Sequence, residues 1–178
     1  AYLGGRVEAL IMRLVDLQLS FPAILLALVI VALLGQGKVQ LIGALVAAQY
    51  AYFARTAYGA AKAERGKDYI EAALATPLSG RLVVWRHLLP NCTPPLIVVA
   101  TVQIANSISL EATLSFLGLG IQPPMSSWGT LIKDGVESME EYSWLLVYPG
   151  ITFTITLFAL NFFGDGLRDA LDPKTSDN

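Results

Sequence analysis

The sequence predicts an all-α, polytopic transmembrane helical bundle, and three observations predict it. Charged residues make up 15% of the 178 positions, against roughly 25% in soluble domains, while apolar residues make up 54% and the mean hydropathy is +0.57. Four windows long enough to matter in a bilayer carry no charge. The basic residues between those windows are split ten to two. This composition excludes a disordered chain, a collagen-like fibre and a basic nucleic-acid binder. The single Cys92 rules out an internal disulfide framework, and one cysteine with the single His87 leaves little from which to build a zinc site. The chain opens at Ala1 on an apolar stretch without a basic n-region and cleavage site, so no signal peptide is expected and an N-terminally incomplete sequence is.

In chain order, residues 1–16 place Val7, Leu10, Ile11, Leu14 and Val15 at helical spacing, with Arg6, Glu8, Arg13 and Asp16 between them. That pattern predicts an amphipathic segment at the membrane surface. A spanning helix needs about 20 mostly apolar residues, and the first such window runs from Leu17 to Gly37, with Pro22 where a first helical turn tolerates it. The second, Val39 to Ala54, is rich in Ala and Gly and is expected to continue past Arg55 towards Ala61. The third, Leu88 to Leu110, carries Pro90, Pro94 and Pro95 at its front, so the span proper is expected to start near Pro95 and run to about Phe116. The stretch from Ala112 to Ile132 is also uncharged. Gly118, Gly120, Pro123, Pro124 and Gly129 argue against a lipid-exposed helix there, so it reads as the end of span three and a loop, 117–142. The fourth span, Tyr142 to Gly164, has Tyr142, Trp144 and Tyr148 at one end and Phe162 and Phe163 at the other, as interfacial belts require. A tail, 165–178, follows.

Four spans put residues 1–16, the loop 62–91 and the tail on one side. That side holds Arg6, Arg13, Arg55, Lys62, Arg65, Lys67, Arg81, Arg86, Arg168 and Lys174, and the other only Lys38 and Lys133. The positive-inside rule makes the basic side cytoplasmic. Small residues Gly43, Ala47 and Ala51, then Ala105 and Ser109, recur every fourth position and predict close helix packing.

The loop 62–91 is longer than a connection needs and is patterned. Asp68 is placed to cap a short helix through Leu74, and Ser79 a second through Leu88. Small Ala72 and Ala73 beside Tyr69, Ile70 and Glu71 let a partner approach the backbone closely. Glu111, an ionisable residue inside a predicted span, is either functional or a structural group near the outer interface.

At Glu71-Ala72-Ala73 and Leu89-Pro90-Asn91 the sequence resembles the permease subunits of bacterial ABC importers. The resemblance narrows to the C-type permease of the dipeptide, oligopeptide and nickel branch. It is carried by Met12-Arg13-Leu14-Val15-Asp16, Phe21-Pro22, the run from Glu111 to Gly120, Gln122-Pro123-Pro124, Ser127-Trp128-Gly129 and the run from Gly164 to Pro173, in order over nearly the whole chain. Pro77 stands where the family usually has a Gly, six residues after its Glu. Its ring fixes φ near about −65° and ends the preceding helix, so a bend is expected to survive with altered geometry.

The resemblance implies a single transmembrane domain, 1–178, with about four of an expected six spans and a cytoplasmic coupling helix, in a bacterial or archaeal inner membrane. It implies a non-catalytic subunit without cofactor or metal. Its partners would be the lipid bilayer, a homologous second permease, two ATPase subunits and an extracytoplasmic binding protein, and no nucleic acid. No Gly-x-x-x-x-Gly-Lys-Ser/Thr occurs, so ATP chemistry is assigned to the ATPases. Asp68, Tyr69, Glu71, Ala72, Ala73, Pro77, Arg86, Leu89 and Pro90 would couple to them. Glu111, Ser115, Gly118 and Gly120 are the pathway or gate candidates, and Pro123, Pro124 and Trp128 the binding-protein docking candidates. The implied cargo is a di- or oligopeptide, with nickel or glutathione as alternatives within the branch. A secondary transporter would need ionisable residues near the midplane, where only Glu111 qualifies. A non-transporting scaffold would give no reason for the patterned loop.

Overall fold

The structure, a computed structural model, describes residues 5–75 and 79–171. Eight α-helices follow one another among the described residues: α1 (Gly5–Leu19), α2 (Ala23–Leu34), α3 (Lys38–Arg65), α4 (Asp68–Leu74), α5 (Gly80–Val83), α6 (Leu89–Phe116), α7 (Trp128–Glu137) and α8 (Trp144–Leu171). A π-helical stretch, Val84–Leu88, joins α5 to α6.

The four apolar windows map on to α2, α3, α6 and α8, with three corrections. The first window does not form one helix. Pro22 lacks an N–H and stands as the N-cap of α2, and Gly35 at φ +84° ends that helix with its N–H on the Val31 carbonyl. Twelve residues remain, about 18 Å at 1.5 Å per residue, short of a hydrocarbon core of about 30 Å.

The third window starts earlier than expected, because the helical run is continuous from Gly80 to Phe116. The prolines are absorbed rather than excluded: the π-helical stretch precedes Pro90, and the side chains of Asn91 and Thr93 donate back to the carbonyls of His87 (2.6 Å) and Leu89 (2.9 Å). The third correction concerns the count. By length and apolarity two helical runs can cross a membrane, Gly80–Phe116 and Trp144–Leu171, or three if the bent pair α1 and α2 is one span. With 28 residues α3 is long enough, but Gln40, Gln49, Arg55 and Lys62 dilute it.

The chain forms two compact units. The first comprises residues 1–20, 51–100 and 165–178, the second 21–50 and 101–164. Arg6, Arg13, Arg55, Lys62, Arg65, Lys67, Arg81, Arg86 and Arg168 all belong to the first, and Lys38 and Lys133 to the second. The positive charge that the sequence reading assigned to one side is thus gathered in one unit. Within the first unit, Tyr58 of α3 donates to Glu8 of α1 at 3.0 Å and Arg55 pairs with Asp16. Within the second, Ala27 and Val31 of α2, Leu41, Ala44 and Ala48 of α3 and Leu114 of α6 form a buried cluster, against which Leu119 and Ile121 pack.

Candidate functional sites

Two residues, Gly66 and Lys67, separate α3 from α4. Lys67 is extended (φ −90°, ψ 144°) and its carbonyl accepts from Ile70 and Glu71 to start the helix. Asp68 is therefore the first helical residue and not the cap the sequence suggested; its carboxylate still lies at the end of the helix where negative charge is favoured. Ile70 is 1% exposed and anchors α4. Asp68, Glu71, Ala72 and Ala75 are exposed at positions i, i+3, i+4 and i+7, so they form one outward face, acidic and low in relief. Ala73 is half-buried and turns partly away.

Tyr69 behaves differently from its neighbours. Its hydroxyl donates to the carboxylate of Glu64, near the end of α3, and Lys67 Nζ lies 2.6 Å from the other Glu64 oxygen. Burial pushes the Glu64 carboxyl up, but the bonds from Lys67 and Tyr69 and the Lys67 charge outweigh it and hold the group below its ordinary range. The Tyr69 phenol is pushed up to about 12, by burial first and then by the adjacent carboxylate. Arg86, Leu89 and Pro90 are exposed further along, in the π-helical stretch and the first turn of α6. Pro77 lies outside the described residues.

Glu111, Ser115, Gly118 and Gly120 are brought together at the end of α6. Gly118, at φ +80°, ends the helix; its N–H bonds the Ser115 carbonyl at 3.0 Å and the Leu119 N–H reaches the Leu114 carbonyl at 2.9 Å. That pair of bonds is the Schellman arrangement, completed by the apolar Leu114 and Leu119. Ser115, 1% exposed, donates to the half-buried Glu111 at 2.5 Å and accepts from the Ile121 N–H at 3.0 Å. A Cβ on Gly120 would lie 2.6 Å from Ser115 Cα. Gln122 caps the turn by donating to the carbonyls of Gly118 and Gly120, and Gln36 also reaches Gly118. These four residues therefore build a rigid helix end around one carboxylate.

Pro123 and Pro124, joined by a cis peptide, are exposed. Trp128 is half-buried and packs on Phe153 of α8 with ring centroids 6.2 Å apart. It opens α7, a helix within the stretch 117–142 that the sequence predicts as loop. There Ser127 and Thr130 exchange side-chain and backbone bonds as a capping box. Also missed was an amide network in the second unit. Gln103 Nε2 and Ser107 Oγ both donate to Gln49 Oε1, at 3.4 and 3.1 Å, and Asn106 donates to Gln103 at 2.7 Å. Gln49 and Gln103 are each 7% exposed. Their signal was present: amides inside windows chosen only for lacking charge.

The model of a protein family described as the binding-protein-dependent transport system inner membrane component matches residues 1–177. The chain belongs to this family. Relatives within it include the oligopeptide transport system permease protein OppC of Haemophilus influenzae, 40% identical over 97% of this chain and 56% of its own length. OppC of Escherichia coli K12 is 42% identical over 96% of the chain and 57% of itself. The di/tripeptide transport system permease protein DppC of Pseudomonas aeruginosa is 40% identical over 96% and 56%. The chain thus spans somewhat more than half the length of the curated relatives it matches. Its helices and its family place it among all-α inner membrane components.

Proposed function

We propose that this chain supplies part of the transmembrane pathway of an ATP-driven importer of di- or oligopeptides, and that α4 is the helix through which separate ATPase subunits act on it. One observation carries the reading: Asp68, Glu71, Ala72 and Ala75 form an exposed, low-relief face on a short helix set in the unit that holds the basic residues. Small side chains let a partner's backbone come close, and the two carboxylates give that contact a sign. Relatives named for oligopeptide and di/tripeptide transport support the peptide cargo. In this reading a second, homologous permease completes the pathway, Arg86, Leu89 and Pro90 border the ATPase contact, and an extracytoplasmic binding protein meets the exposed Pro123 and Pro124. Trp128 and the Glu111 group hold the gate region in shape.

The test is ATP-dependent peptide uptake by the full transporter in proteoliposomes. Glu71→Lys should reduce uptake at least tenfold while leaving membrane insertion intact, because it reverses the charge on the docking face and adds one more positive residue to an already basic side. Wild-type uptake by that variant would sink the assignment of α4. ATP-independent uptake by the unaltered transporter would sink the ATP-driven reading itself.

A further inference from the structure

Among the described residues Glu64 is the buried carboxylate, 7% exposed. Its position is doubly unfavourable. Burial penalises the charge, and the C-terminal end of a helix, here one residue away at Arg65, carries the negative end of the helix dipole. What holds the charge comes from beyond Gly66: the Tyr69 hydroxyl and Lys67 Nζ at 2.6 Å. Only Gly66 and Lys67 connect α3 to α4, and glycine has the widest backbone freedom of any residue. Buried Ile70 seats α4, and the bonds to Glu64 are the side-chain attachment that crosses the joint itself.

We propose that Glu64 is the positioning residue of this joint, locking α4 to the end of α3 so that a force on the exposed face of α4 turns α3 instead of bending the chain at Gly66. The proposal rests on the reading of α4 as the ATPase-docking helix, and it gives Tyr69 a role distinct from the docking residues beside it. Tyr69 holds the helix; Asp68, Glu71 and Ala72 meet the partner. Each bond to the carboxylate is charge-assisted, and losing one shifts the locked population on the order of tenfold.

The full transporter is reconstituted in a Cys92→Ser background with spin labels at the exposed Ala63 and Ala75, in a pair that keeps unlabelled uptake. Glu64→Ala should broaden the distance distribution between the labels and lower peptide imported per ATP hydrolysed about tenfold or more, with the ATPase subunits still co-purifying. Glu64→Gln, which keeps an acceptor for Tyr69 but loses the charge for Lys67, should fall between. If Glu64→Ala does not fold, the pair Lys67→Met and Tyr69→Phe removes both donors from exposed positions and should broaden the distances alike. A narrow, unchanged distribution in these variants overturns the lock whatever uptake does. A broadened distribution with unchanged import per ATP overturns the force-transmitting role and leaves the docking assignment standing. Loss of ATPase co-purification would mean that Glu64 shapes the docking face itself, and overturns the proposal too.

Discussion

In the first unit, helices are joined by charge: Arg55 to Asp16, Tyr58 to Glu8, and Lys67 and Tyr69 to Glu64. In the second, beside an apolar cluster and a shared amide network, helices also meet where side chains are absent. A Cβ on Gly129 of α7 would lie 2.8 Å from the Phe116 N of α6, and one on Gly135 would lie 2.6 Å from the Leu145 O of α8. An ion pair of this unit, Lys133 with Glu137 at 3.9 Å, stays within α7. On the reading proposed above, the charge-joined unit faces the cytoplasm, where water lets charged pairs form at little cost, and the amide network of the second lies within spans, where no hydrophobic force draws helices together.

The sharpest way to break this comparison is to test the sides it implies. Single cysteines at the exposed positions Arg81 and Asp134, in a Cys92→Ser background, should react oppositely with a membrane-impermeant thiol reagent on intact cells, only position 134 being labelled, and both should label after permeabilisation. Labelling of position 81 in sealed cells would invert the orientation. Next in size, Gly129→Val should cost roughly 3 kcal/mol, because the clash is with backbone that has no rotamer to yield. Gly59→Val in α3, whose Cβ would meet nothing within 4 Å, should stay within about 0.5 kcal/mol of the unaltered protein. Thermal unfolding in detergent reads both. Equal losses would show that close backbone approach is not what seats α7.

A smaller effect is expected of the amides. Gln103→Leu removes one of the two donors to Gln49 and the acceptor of Asn106, and should cost about 0.6 to 1.7 kcal/mol, the range for hydrogen bonds between membrane helices. Changing Gln49 and Gln103 to Leu together should recover part of that loss, since the Gln49 amide is then no longer buried with a donor missing. A double loss equal to the sum of the single ones would mean the two do not interact. Smallest of all, Arg55→Ala should cost under about 1 kcal/mol, since both side chains of that pair are more than half exposed (56% and 52%), and the loss should fade in high salt.

Much of this division was legible in the chain. Nine of the ten basic residues that the sequence places on one side fall among the described residues of the first unit, since charged residues cluster away from the apolar stretches. The end of α6 was legible through Gly118, whose positive φ is the usual stop for a helix. Other features were misread because one residue type serves opposite ends. Gly129 reads in the sequence as a sign of a loop, yet it is a contact point of a helix whose cap uses Thr130 in place of the usual Glu or Gln. Pro90, Pro94 and Pro95 were taken to delay a helix that a single wider turn carries through. Nothing in a sequence tells a buried glutamate such as Glu64 from a solvated one; only the fold brings Tyr69 back to it.

The seating of α7 has a mechanical consequence. A helix packed through side chains can creep, each rotamer giving a little as its neighbours slide. One that rests backbone on backbone at two points, Gly129 on α6 and Gly135 on α8, has no such compliance. It behaves as a strut pinned at both ends, which either stays seated or lifts away whole. Any opening at this end of the second unit is then a discrete event with a threshold, and α6 and α8 feel it at the same instant.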